Sequence, residues 1–230
     1  MKNITEYILC RDNIFYFMEK YLEMEMRGIQ IDMVTKTLAM QTGQSSNFLG
    51  IRQCGVSTAM FAVLLWKNLF HPNNKDAYVS LSDIDSIWAK HTMNAMYSTY
   101  LGNWDHNKQA CTYMNNQQYQ TSLRFDNDSS IFFFSTGGFI RGHSFDLIVF
   151  ENMYIYPNSG TALSQIAPSC KKFVIANTSL PEKEHPLEQV GMKSTYPWYC
   201  NPDFDLKWYL ANINSLEMPD FLRNYGCTRG

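Results

Sequence analysis

Gly50-Ile51-Arg52-Gln53-Cys54-Gly55-Val56-Ser57-Thr58 decides how this chain is read. Its spacing, G-x-x-x-x-G-x-[ST], is that of a loop whose backbone N–H groups wrap phosphates. Such a loop ordinarily carries a lysine that reaches the β- and γ-phosphates, followed by a hydroxyl that holds Mg²⁺. Here Val56 stands at the lysine position, while Gly50, Gly55, Ser57 and Thr58 are kept. The apolar pair Phe48-Leu49 leads into the loop as a short strand. From Ser57 a nearly continuous apolar run reads as a buried helix that stops near His71-Pro72. The order strand, glycine loop, helix is the context that gives the spacing its meaning.

Upstream, Asp12 or Asn13 can cap a helix whose apolar residues Ile14, Phe17, Met18, Tyr21 and Leu22 share one face, with Gly28 as its end. A second helix is expected over 33–41, then a loop at Gly43 and Ser45-Ser46. Downstream, 77–81 reads as a strand, and Ser82 caps a helix running to about Leu101. A polar, irregular stretch follows over 102–116. Residues 119–125 and 131–135 form a hairpin turning at Asp126-Asn127-Asp128-Ser129. Residues 146–150 and 172–176 are apolar enough for central parallel strands, and 206–213 and 215–225 read as helices. Strands alternating with helices predict a three-layer α/β domain on a largely parallel sheet. One domain over 1–230 is expected, with a helical lead-in (1–45), a phosphate-loop core (46–180) and a helical carboxy-terminal segment (181–230).

The composition narrows the function classes. Hydrophobic residues make up 45% of the 230 positions, enough for a sizeable core. Net charge is −2, so no global attraction to DNA or membrane is expected. The six cysteines show no C-x-x-C spacing, which argues against zinc and for reduced thiols in a cytosolic compartment. Charged residues break the amino terminus, so no secretory signal is read there. The apolar stretch 60–66 is too short to span a bilayer. Lys171-Lys172 is too short a run for a DNA-binding patch, and the five histidines have no metal-ligand spacing. His143 is the histidine expected beside the site. Cys54, at a helix amino terminus, is read chiefly as a small adaptable loop residue, with a reactive thiol as the alternative.

A second motif follows. Leu147-Ile148-Val149-Phe150 ends in Glu151-Asn152, as a Walker B strand ends in an acid that helps hold Mg²⁺ and a glutamate that polarises water. Between loop and strand lies Ser135-Thr136, a short gap, and Arg141-Gly142-His143-Ser144. The set resembles the ATPase domain of the large terminase subunit, the DNA-packaging motor of tailed phages. That family carries R-Q-x-G-K-[ST], matched here by Arg52-Gln53-Cys54-Gly55. Its downstream S-T and R-G-x-S are matched by Ser135-Thr136 and Arg141-Gly142-His143-Ser144. Its Asp-Glu falls on Glu151-Asn152, and its Ser-Thr-Pro coupling motif on Asn177-Thr178-Ser179. The stretch 156–169 is similar to the segment before that motif, and 13–29 to the family's opening helix, so the likeness covers nearly the whole chain.

The resemblance implies a P-loop ATPase fold with ATP and Mg²⁺ as cofactors. Gly50, Arg52, Gln53, Cys54, Gly55, Val56, Ser57 and Thr58 would hold the nucleotide, Ser57 and Glu151 the metal. Arg52, Glu151 and Asn152 would be the catalytic set, in degenerate form. It implies viral double-stranded DNA, the portal and the small terminase subunit as partners, in a homo-oligomeric ring or beside an active terminase. The place would be the host cytoplasm, with no membrane contact. The departures are specific. The upstream lysine of some terminases would fall on Leu49, so both lysine positions are lost. The metal acid is a glutamate, and the water-polarising carboxylate is the amide Asn152. Gln41 and Gln44 are the candidates for the family's adenine-contacting glutamine. The chain ends at Gly230, about where the family's linker to its nuclease begins, so no nuclease carboxylate is carried over. Phosphoryl transfer rests on positioning and electrostatics, so very weak or no ATP hydrolysis is expected. Binding through backbone N–H groups remains open to the loop. Two functions follow: a packaging-motor ATPase domain with impaired hydrolysis, or a non-hydrolysing pseudo-ATPase that serves an active motor.

Overall fold

The computed structural model describes residues 2–51, 53–104, 121–135, 143–155, 160, 163–164, 167–181, 183–213 and 215–227. Seven strands form one sheet: β1 (Ser45–Gly50), β2 (Lys75–Ser80), β3 (Thr121–Arg124), β4 (Ser130–Ser135), β5 (Phe145–Glu151), β6 (Cys170–Asn177) and β7 (Met192–Tyr196). Their order is β3-β4-β2-β5-β6-β1-β7. Every neighbouring pair is parallel except the hairpin β3/β4. The fold is therefore α/β on a largely parallel sheet, as the alternating pattern predicts. The runs 146–150 and 172–176 do lie in central strands, where burial on both faces favours unbroken apolar sequence.

Seven α-helices are described: α1 (Lys2–Asp12), α2 (Ile14–Tyr21), α3 (Gly28–Ala39), α4 (Val56–Phe70), α5 (Asp83–Asn103), α6 (Leu206–Ile213) and α7 (Met218–Phe221). Helices α3, α4 and α5 pack side by side along one face of the sheet. α4 sits in the middle and is buried nearly all round, from Ala59 through Leu65. This is why its sequence shows no polar stripe. Around it the rings of Phe61 and Tyr78 meet at 5.0 Å, and Phe17 and Phe70 at 5.2 Å. Near β1 the opposite face carries two 3₁₀ turns, Met153–Ile155 and Pro186–Gln189: Tyr154 Oη donates to Asn47 Oδ1, and Asn47 Nδ2 to the Leu187 carbonyl.

Several boundaries differ from the sequence expectation. Asn13 does cap α2, its Oδ1 accepting from the N–H groups of Phe15 and Tyr16. Gly28 does not end that helix. The chain leaves α2 at Leu22 through Glu23, whose φ is +53°, and Gly28 opens α3 five residues before the expected start at 33. The segment 181–230 is not wholly helical, because β7 adds a parallel edge strand to β1. The sequence Met192-Lys193-Ser194-Thr195-Tyr196 hides it, as exposed edge strands carry polar and charged residues. Helix α6 matches its predicted span. Residues 215–225 hold only the short α7, followed by a π turn, Leu222–Gly226.

Candidate functional site

The site is built at the carboxyl ends of β1 and β5, with β6 between them. Gly50 ends β1 and Gly55 opens α4 in the left-handed region, φ +79°. A side chain is disfavoured there for two reasons: the backbone conformation, and a Cβ that would meet Gln30 Nε2 at 2.3 Å. Gln53 is also left-handed, φ +66°, so the chain turns tightly between strand and helix. Arg52, matched in sequence to the family's loop arginine, lies outside the described residues, as do 136–142.

The inside of the loop is apolar and occupied. Ile51 and Cys54 are fully buried, and Val56 is 3% exposed. A Cβ on Gly50 would sit 2.5 Å from Cys54 Sγ and 2.9 Å from Val56 Cγ2, so these side chains close over the glycine. Burial pushes the Cys54 thiol up to about 11. The N–H groups of Val56 and of Cys54 itself, which approach the sulfur, act in the opposite direction. The thiol is therefore protonated at neutral pH, which sets aside the reactive-cysteine alternative. The Cys54 N–H donates to the Ile51 carbonyl at 3.3 Å, which tightens the turn.

Ser57, on the first turn of α4, donates its hydroxyl directly to Glu151 Oε1 at the end of β5. A glutamate is one methylene longer than the expected aspartate, which gives the carboxylate the reach for this bond. Burial raises the Glu151 pKa, and the Ser57 bond lowers it in part. The expected metal pair is thus brought together, but each member is bonded to the other. Asn152 is held in the left-handed region, φ +54°, with its N–H on the Ala176 carbonyl at 2.7 Å. Its Oδ1 accepts from Thr178 N–H at 3.2 Å and Thr178 Oγ1 at 3.0 Å. The amide at the water-polarising position is therefore a brace between the ends of β5 and β6.

Two residues that sequence reasoning missed hold the loop from outside. Gln30 accepts the Arg27 N–H at 3.0 Å and donates to the Gly55 carbonyl at 3.2 Å. Arg27 donates to the Gln53 carbonyl at 2.9 Å and pairs with Asp203. Only half of a capping box is present, with Gln30 accepting the Arg27 N–H, because a guanidinium has no acceptor for the return bond. Two expectations are corrected. Gln41 and Gln44 precede β1 and bond to each other, at the end of that strand away from the loop. His143 precedes β5 and packs among Phe132, Phe134 and Phe145. The length of that strand, roughly 20 Å at ~3.3 Å per residue, separates it from Glu151. Among the described residues no group of three or more His, Cys, Asp or Glu is placed to hold a metal.

The donor set tests the implied cofactors. The Ser57 hydroxyl and Glu151 carboxylate are oxygen ligands of the kind a hard divalent cation takes. Val56 brings no charge to the place where the loop's lysine would stand.

Comparison of the whole fold decides the architecture. No family model and no curated protein sequence matches the chain. The large terminase ATPase domain of Thermus phage P74-26 superposes with a TM-score of 0.66, at 12% identity, over 92% of this chain and 97% of that one. The fold is that of a large-terminase ATPase domain. The HK97 bacteriophage large terminase aligns with a TM-score of 0.66, at 11% identity, over 93% of this chain and 54% of its own length. The large terminase of a thermophilic bacteriophage, solved in complex with ADP, gives 0.60 at 10% identity, over 87% and 52%. The chain thus spans about half of those longer proteins. Among the described residues no helix is long and apolar enough to cross a membrane.

Proposed function

We propose that this chain is a packaging-motor-type domain whose hydrolytic site has been silenced. It serves viral DNA packaging as a structural or regulatory partner of an active motor. The observation that carries this is the joint loss of two charged groups from one site: Val56 stands at the lysine position and Asn152 at that of the water-polarising acid. Val56 and Cys54 close the loop, and Asn152 has become a brace, in support of the same reading. Each missing catalytic group removes a preorganised interaction of about 3–4 kcal/mol. Retention of the fold with loss of these groups favours partnership over turnover. Double-stranded DNA, the portal and the small terminase subunit are the partners that the resemblance suggests, in a ring or beside an intact large subunit.

The test is isothermal titration of the full chain with ATP, with and without Mg²⁺. We expect binding that is absent or weak and no tighter with Mg²⁺ than without. Binding tightened tenfold or more by Mg²⁺, and returned to the metal-free value by Glu151→Gln, would instead support a motor subunit with impaired hydrolysis.

A further inference from the structure

A cavity of about 450 Å³ opens at the other end of the sheet. Its walls come from α3 (Leu38), the last turn of α4 (Trp66, Lys67) and the amino-terminal ends of β5 (Leu147) and β6 (Lys171, Lys172). β5 begins at this cavity and ends at Glu151, so the two places are roughly a strand length, ~20 Å, apart. The cavity is therefore separate from the phosphate loop.

Its charges are unevenly paired. Lys67 contacts Asp76 at 2.9 Å, and that carboxylate is fully buried and also accepts from Asn68 Nδ2 at 2.8 Å. Lys171 contacts Asp146 at 2.6 Å, whose other oxygen accepts the Lys75 N–H at 2.8 Å. Lys172 has no acidic partner among the described residues. Burial and the neighbouring Lys67 both lower its pKa. Of the other polar side chains of the wall, Thr37 Oγ1 donates to the Met33 carbonyl and Asn74 Nδ2 to the carbonyls of Lys67 and His71, while His71 Nε2 is buried with no hydrogen-bond partner among the described residues. A partly buried cation beside a second cation is an unfavourable arrangement that an anion relieves. The rest of the wall, Leu38, Trp66 and Leu147, is apolar.

We infer that this cavity is a second ligand site, for a small organic anion with a carboxylate or phosphate head on Lys172 and an apolar body against Leu38, Trp66 and Leu147. This inference does not depend on whether the phosphate loop binds nucleotide. The probes are 1-naphthyl phosphate, 1-naphthoate, uncharged 1-naphthylmethanol and inorganic phosphate, each titrated calorimetrically into the full chain. We expect one site per chain for a charged naphthyl compound, with inorganic phosphate and the alcohol at least tenfold weaker. The stronger of the two charged probes identifies the head group. Lys172→Glu should weaken that probe tenfold or more without changing the melting temperature greatly, and Lys172→Ala should weaken it less. Lys90→Glu, on helix α5 and outside the cavity wall, should leave it unchanged. Equal binding of charged and uncharged probes, or affinity within twofold of wild type in Lys172→Glu, overturns the inference.

Discussion

The two ends of the parallel sheet handle charge in opposite ways. At the carboxyl ends, where the resemblance places catalysis, Val56 and Asn152 are uncharged and Glu151 is bonded to Ser57. At the amino ends, charge is dense: Lys67, Asp146, Lys171 and Lys172 line one cavity, and Lys67 is paired with the fully buried Asp76 behind it. A parallel sheet conventionally offers its carboxyl ends to ligands. Here Ser57 bonds Glu151 and Asn152 bonds Thr178, whereas at the other end Lys172 has no acidic partner among the described residues. Satisfied polar groups lock a structure, while an unsatisfied one marks a place where something can still bind.

The comparison can be broken most sharply at Asp76. Its side chain is fully buried and is shared by Lys67 and Asn68. Asp76→Ala leaves both without their acceptor, and chemical denaturation should show a loss of ~3–5 kcal/mol. A loss under ~1 kcal/mol would mean that the ions at this end are not structural. At the opposite end, Gly55→Ala places a Cβ in the left-handed region against Gln30 and should cost about 1–2 kcal/mol. Adding Gln30→Ala should recover the part due to contact and leave the part due to backbone strain. Full recovery would place the whole cost in Gln30.

Glu151 supplies a pH test. Its pKa is raised in the folded chain by burial, so the folded state holds the proton to higher pH than the unfolded state does. Stability should therefore fall as pH rises from the ordinary glutamate range, roughly 4–5, through the raised value. Glu151→Gln should remove that part of the slope in melting curves taken across the window. An unchanged slope would show that the carboxylate is already ionised and free for a metal. Arg27→Ala should have the smallest effect on global stability, under ~1 kcal/mol, because the pair with Asp203 is partly exposed. Amide exchange at Gln53 and Cys54 should nonetheless quicken, since Arg27 holds the Gln53 carbonyl.

Much of this contrast was legible in the sequence, though unevenly. The loop, α4 and the strands ending at Glu151 and Asn177 announce themselves, because a buried strand or helix needs an unbroken apolar run and a left-handed turn needs glycine. Strand β7 was hidden because an edge strand has one solvated flank and tolerates Lys193 and Ser194. The clamp by Arg27 and Gln30 was obscured by reading Gly28 as a helix end. Gln41 and Gln44 were misplaced because nearness in sequence to the loop is not nearness in space when a strand intervenes. Missing residues in the motifs were visible at once. That the loop closes over its own thiol, and that Ser57 and Glu151 bond directly, required coordinates. The cavity with Lys172 could not be read from Lys171-Lys172 alone, because its walls come from four separate elements.

The central claim is that the carboxyl end of the sheet no longer performs phosphoryl transfer. Steady-state phosphate release by the full chain, with ATP, Mg²⁺ and double-stranded DNA, tests it most directly. We predict release indistinguishable from a no-protein blank, in wild type and in Arg52→Ala alike. DNA-stimulated turnover above the blank that disappears in Arg52→Ala or Glu151→Gln would contradict it.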